Sequence, residues 1–81
     1  MTIHVKITYF AALKQQAGKS DEELEIAPMS VRELYNQLTT RYDFNIAPRF
    51  ILYSINSEFV DESTVLNEDD HVVFIPPVSG G

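Results

Sequence analysis

The run Val72-Val73-Phe74-Ile75, followed at once by Pro76-Pro77, constrains this chain more than any other stretch. Four consecutive apolar residues without alternation read as a strand buried on both faces, and such a strand is central in its sheet. Proline has φ held at about −65° and no amide hydrogen, so the ladder must stop near Ile75. Two of the four prolines and two of the three glycines fall in the final stretch Pro76-Pro77-Val78-Ser79-Gly80-Gly81. At a polyproline rise of ~3.1 Å per residue these six positions reach roughly 18 Å beyond the strand. Gly80 and Gly81 add no side-chain bulk, which suits a narrow channel in which another protein works on the terminal carboxylate. The expected organisation is a domain over residues 1–75 and an extended tail over residues 76–81.

The rest of the chain supplies a sheet and a cover for it. Ile3, Val5, Ile7 and Tyr9 alternate with His4, Lys6, Thr8 and Phe10, the period of a half-buried strand. Ala11 to Ala17, closed by Gly18, predicts a short helix with a glycine cap, and Glu22 to Ile26 predicts a second strand. Its acids Glu22, Glu23 and Glu25 do not form a metal cluster, because neighbours on a strand point to opposite faces. Ser30-Val31-Arg32-Glu33 is a capping box after Pro28, and Val31, Leu34, Tyr35, Leu38 and Tyr42 then follow at helical spacing as one apolar stripe. Asp43 to Pro48 reads as a loop, with further strands at Ile51 to Ile55, Glu58 to Val60 and His71 to Ile75. These elements predict an α+β fold: a mixed sheet of about five strands, one main helix packed across it, and a shorter helix.

Composition narrows the function. Eighty-one residues make one domain, and 44% hydrophobic with 22% charged residues is the balance of an ordinary globular one. The absence of cysteine removes disulfides, thiolate-bound zinc and a thiol nucleophile. With no signal peptide or long apolar run, the expectation is a cytoplasmic chain without a membrane partner. A net charge of −6 argues against nucleic acid, whose phosphates call for basic patches. Beyond Arg49 the charged side chains are Glu58, Asp61, Glu62, Glu68, Asp69 and Asp70, with no lysine or arginine. That half is either a solvated surface or one that steers docking toward a basic partner. No nucleophile elbow, phosphate loop or metal-ligand spacing is present, and His4 and His71 read as surface positions on strands.

The ending Phe74-Ile75-Pro76-Pro77-Val78-Ser79-Gly80-Gly81, the opening Val5-Lys6-Ile7-Thr8-Tyr9-Phe10-Ala11 and the Ile55-Asn56 pair resemble the small, sulfur-carrying subunit of molybdopterin synthase, a ubiquitin-like family with a β-grasp fold. Asp69-Asp70 stands where that family commonly has Gly-Asp, and Ser54-Ile55-Asn56-Ser57 departs from a more usual Ala-Val-Asn run. The resemblance implies that a ubiquitin-activating-type adenylyltransferase uses ATP and magnesium to activate Gly81. It implies that a thiocarboxylate then forms there, while the chain itself binds no cofactor or metal. It implies delivery of the sulfur to cyclic pyranopterin monophosphate within a heterotetramer of two large and two small subunits, the catalytic side chains belonging to the large one. Gly80 would keep the channel clear, and Pro76 and Pro77 would direct the tail. Phe10, Phe59 and Ile75 stand where the family places apolar residues facing its partner, although sequence alone allows ordinary core packing there. Carriers for thiamine or tRNA thiolation, and an interaction module whose tail is never activated, are the competing readings.

Overall fold

A computed structural model describes residues 1–77. The chain runs β1 (Ile3–Tyr9), α1 (Ala11–Ala17), β2 (Asp21–Ile26), α2 (Val31–Tyr42), a 3-10 turn (Pro48–Phe50), β3 (Leu52–Ile55), β4 (Glu58–Val60) and β5 (Asp70–Ile75). The strands form one sheet in the order β2-β1-β5-β3-β4. β1 pairs antiparallel with β2 and parallel with β5, while β3 pairs antiparallel with both β4 and β5. β5 is therefore the central strand, as its unbroken apolar run predicts. The sheet is mixed, five-stranded and covered on one face, the expected α+β architecture.

Alternation decides which residues form the core. Ile3, Val5, Ile7 and Tyr9 of β1, Val72 and Phe74 of β5, and Tyr53 and Ile55 of β3 all turn inward and are buried. Val31, Leu34, Tyr35 and Leu38 of α2 pack onto them, which places the helical stripe where its spacing put it. Phe74 meets the Tyr35 ring at 5.4 Å between centroids, edge to face. At the other end of the helix, the Glu22 carboxylate accepts the Tyr9 and Tyr42 hydroxyls and lies 3.5 Å from the Lys19 ammonium. Burial opposes ionisation of Glu22 most strongly, yet the two hydroxyls and the ammonium together hold its pKa below the ordinary carboxylate value. The same burial and the adjacent carboxylate push the Tyr9 phenol up.

Helix ends follow the sequence signals. Ser30 Oγ accepts the Glu33 N–H at 3.1 Å and the Glu33 carboxylate accepts the Ser30 N–H at 3.0 Å, a complete capping box. Two further first-turn donors are satisfied from the β4–β5 connection: Val31 N–H by the Thr64 carbonyl and Arg32 N–H by that of Glu62. Gly18 closes α1 at φ 76°, where a side chain would be strained.

Three boundaries differ from expectation by one residue. β2 begins at Asp21 rather than Glu22, and β5 at Asp70 rather than His71, because the β1 register extends pairing to Thr8 opposite Asp21 and to Val5 opposite Asp70. β3 begins at Leu52 rather than Ile51, since the Ile51 N–H is taken by the Pro48 carbonyl of the 3-10 turn. Asp69 occupies the left-handed region at φ 66°, the conformation that the usual glycine at this position would adopt without strain. No helix among the described residues is long and apolar enough to cross a membrane.

Replacing Ser30 with alanine leaves the Glu33 N–H without its side-chain acceptor, and urea unfolding is expected to show a loss of about 1 kcal/mol.

Candidate functional site

β5 leads directly into the tail. Pro76 is buried and Pro77 exposed at the exit, and the expected tail residues Val78, Ser79, Gly80 and Gly81 lie outside the described residues. The site can therefore be built from the strand ends that surround Pro76.

The sheet face turned away from α2 carries the residues between the core positions. Thr8 pairs with Val73, Val73 with Ser54, and Ser54 with Phe59, which gives one row across four strands. In the next row Leu52 pairs with Ile75. Phe10 has extended φ and ψ of −120° and 151°, so it continues the β1 alternation away from the core, and the same register sets it beside Ile75. The result is an apolar end of the face gathered around the tail exit. Phe10 and Phe59 are 50% and 72% exposed, whereas Ile75 is half-buried, and none of the three belongs to the core. Of the two readings that sequence left open, core packing and a partner-facing position, this exposure removes core packing for the two phenylalanines.

Sequence reasoning missed Leu52 and Phe50, both more than half exposed. A signal was present for Leu52: it lies between Ile51 and Tyr53, both buried, and alternation turns it to the opposite face. Phe50 belongs to the 3-10 turn, and Arg49 lies over its ring with 4.8 Å from guanidinium carbon to centroid.

The other end of the same face is polar. His4, Lys6, Glu23, Glu25, Asp69 and His71 line a shallow depression of about 640 Å³. The two histidines, 67 positions apart in the chain, are thereby brought to one surface. His71 Nε2 lies 2.8 Å from Thr8 Oγ1, and His4 Nδ1 lies 3.0 Å from Glu68 Oε2. The Glu68 carboxylate also accepts the His4 backbone N–H at 2.9 Å, and Glu25 stands 3.7 Å from the far side of the imidazole. The Glu68 hydrogen bond and charge raise the His4 pKa, with smaller help from Glu25 and Asp69. The backbone and ring donors of His4 in turn lower that of Glu68. Among the described residues no three His, Asp or Glu side chains form a metal-binding group.

Five strands in this order, a central final strand, and a helix across one face define a ubiquitin-like β-grasp protein. The chain belongs to the ThiS family, whose model matches residues 7–81. Among curated proteins it is 35% identical over 86 residues to the molybdopterin synthase sulfur carrier subunit of Pyrenophora tritici-repentis, covering 96% of this chain and 90% of the relative. It is 33% identical over 91 residues to the protein of the same name from Phaeosphaeria nodorum, covering 99% and 93%. Among solved structures, a putative molybdopterin converting factor subunit 1 from Pyrococcus furiosus superposes with a TM-score of 0.79 at 27% identity, covering 94% of this chain and 99% of that one.

The His4–Glu68 pair sets a pH dependence. A raised His4 pKa contributes stability that is full below the ordinary value of 6.5 and is lost as pH rises through the folded value. A lowered Glu68 pKa contributes stability that is full above the ordinary value of 4.5 and is lost as pH falls through the folded value. The stability difference between the native chain and His4→Gln is therefore expected to be largest between those two ordinary values and to shrink on the alkaline side, measured by urea unfolding across pH.

Proposed function

We propose that this chain is the sulfur carrier of a molybdopterin synthase, with Gly81 as the residue that bears the sulfur. The family match that continues through residue 81, and so includes Gly80 and Gly81, is the observation that carries this reading. The names of the curated relatives support it.

The chemistry follows from what a terminal carboxylate lacks. With a pKa of about 3.5 it is ionised at neutral pH and resists nucleophiles until one oxygen becomes part of a leaving group. A ubiquitin-activating-type enzyme supplies this: the Gly81 carboxylate attacks the α-phosphorus of ATP, with magnesium, and pyrophosphate departs. Hydrosulfide then forms the carbon–sulfur bond as AMP leaves, which yields the thiocarboxylate. That sulfur attacks a carbon of cyclic pyranopterin monophosphate as an oxygen substituent on that carbon leaves, and water then cleaves the acyl–sulfur bond, which restores the carboxylate and leaves the sulfur on the pterin as a thiolate. Two such deliveries build a dithiolene. ATP and magnesium are held by the activating enzyme in this scheme, and the side chains that assist transfer belong to the large subunit.

This chain contributes position. Pro76 and Pro77 aim the tail, Val78 and Ser79 extend it, and Gly80 leaves the channel unobstructed. Phe10, Phe59, Ile75 and Leu52 form the apolar surface at the tail's base on which the large subunit docks, in the cytoplasm. Buried contact there holds the tail in register with the partner's pocket, while the tail itself stays thin enough to enter.

Incubation with the activating enzyme, ATP, magnesium and a sulfur source is expected to yield a species heavier by one sulfur in place of one oxygen, mapped to Gly81 by mass spectrometry. Loss of the added sulfur on mixing with the large subunit and cyclic pyranopterin monophosphate is the outcome expected of a molybdopterin carrier. A thiocarboxylate that forms but is never consumed assigns the chain to another thiolation route, and an unmodified mass overturns the carrier reading.

Phe59→Asp tests the docking surface separately. Because Phe59 is largely exposed, unfolding free energy is expected to change by no more than about 0.5 kcal/mol. Affinity for the large subunit, measured by calorimetry, is expected to fall at least roughly tenfold.

A further inference from the structure

β2 is an edge strand, and its free side is defined by the hydrogen-bond pattern. The Tyr9 N–H donates to the Ser20 carbonyl at 2.9 Å, which makes residues 9 and 20 a hydrogen-bonded pair. Bonded and non-bonded pairs alternate along an antiparallel ladder, so Ile7–Glu22 and Val5–Leu24 are bonded pairs in the β1–β2 register. The backbone N–H and C=O groups of Asp21, Glu23 and Glu25 therefore point away from β1, toward the side that no strand of the sheet covers.

Two kinds of surface flank this row. On the helix side, Leu24, Ile26, Met29, Leu34, Leu38 and Arg41 line a groove of about 290 Å³ between β2 and α2. Leu24 and Ile26 point into it while their neighbours point out, and the volume takes a short row of aliphatic side chains. On the open side, Asp21, Glu23 and Glu25 are exposed. Thr2 donates to the Glu25 carboxylate at 2.7 Å, whereas Glu23 makes no ion pair among the described residues.

We propose that the β2 edge binds an extended segment of another protein as a sixth strand, one whose alternate residues are aliphatic and basic. Its main chain bonds to the outward groups of Asp21, Glu23 and Glu25. Its aliphatic side chains enter the groove, and its lysines or arginines lie across from Glu23 and Glu25, where opposite charges stabilise a cross-strand pair. The same acids reject a second copy of this edge, since like charges would face each other. The charge row thus selects the occupant: it guards against self-association and admits a basic strand. The surface is separate from the apolar end around Ile75, so the inference stands whether or not Gly81 carries sulfur.

The test uses the full 15N-labelled chain and a six-residue peptide of alternating valine and lysine, acetylated and amidated at its ends. The expected result is saturable amide shifts confined to residues 21–26 and to the groove-facing side of α2. Glu23→Lys, at an exposed position, is expected to retain the native spectrum and weaken binding about fivefold, with Glu23→Gln intermediate. A peptide of the same sequence N-methylated at every second amide keeps its charge but cannot complete the ladder, and it is expected to lose saturable binding. Equal binding of the methylated peptide shows attraction by charge alone and overturns the proposal. Shifts centred on Phe10, Leu52 and Phe59, concentration-dependent self-association through β2, or no saturable shift also overturn it.

Discussion

Because β1 and β5 run parallel, the chain between them cannot return as a simple hairpin and must cross the sheet. That crossing lays α2 over the face formed by Val5, Ile7, Val72 and Phe74, all almost fully buried. It also leaves β3 and β4 to be added on the far side of β5. The central strand is consequently bonded on both sides and packed beneath the helix, so that its last residue, Ile75, is held by the ladder to Leu52. Whatever leaves the domain after Ile75 does so from its most firmly fixed strand.

The sheet's outer face is divided by the same topology. The carboxyl ends of β1 and β5 lie together because the two strands are parallel, which gathers Phe10 and Ile75 at one end of the face, with Leu52 opposite Ile75. The amino ends bring His4 and Lys6 alongside Glu23, Glu25 and Asp69. An apolar surface at the base of the tail and a charged one farther along the strands are thus two consequences of one strand direction. Contacts with different energetic character can then be made side by side, the apolar end through desolvation and the polar end through charge that salt screens.

Most of the architecture was legible because its signals are local. The missing alternation in Val72–Ile75 announced a central strand, Ser30 and Glu33 announced the start of α2, and Gly18 announced the end of α1. The one-residue errors arose where pairing partners or the 3-10 turn decided a boundary. The less legible features depend on register between distant strands. Glu68 reaches His4 only because β5 returns beside β1, and Leu52 meets Ile75 only through the β3–β5 ladder. The groove beside β2 needs a helix and a strand that no short window of sequence contains together. Asp69 illustrates a different limit: the sequence marked the turn as unusual, and the backbone meets it by placing an aspartate in the left-handed region.

The central place of β5 also has a consequence for how the protein is made. Chains emerge from the ribosome amino end first, and β5 is the last strand in chain order but the middle one in space. Until residues 70–75 have emerged, β1 lacks its parallel neighbour and β3 has only the short β4 beside it, so the helix has no complete sheet to cover. A nascent or truncated chain that stops short of β5 cannot close the core. The topology therefore makes closure of the core wait for residues 70–75, and any enzyme that recognises the folded sheet encounters only chains that have been synthesised through β5.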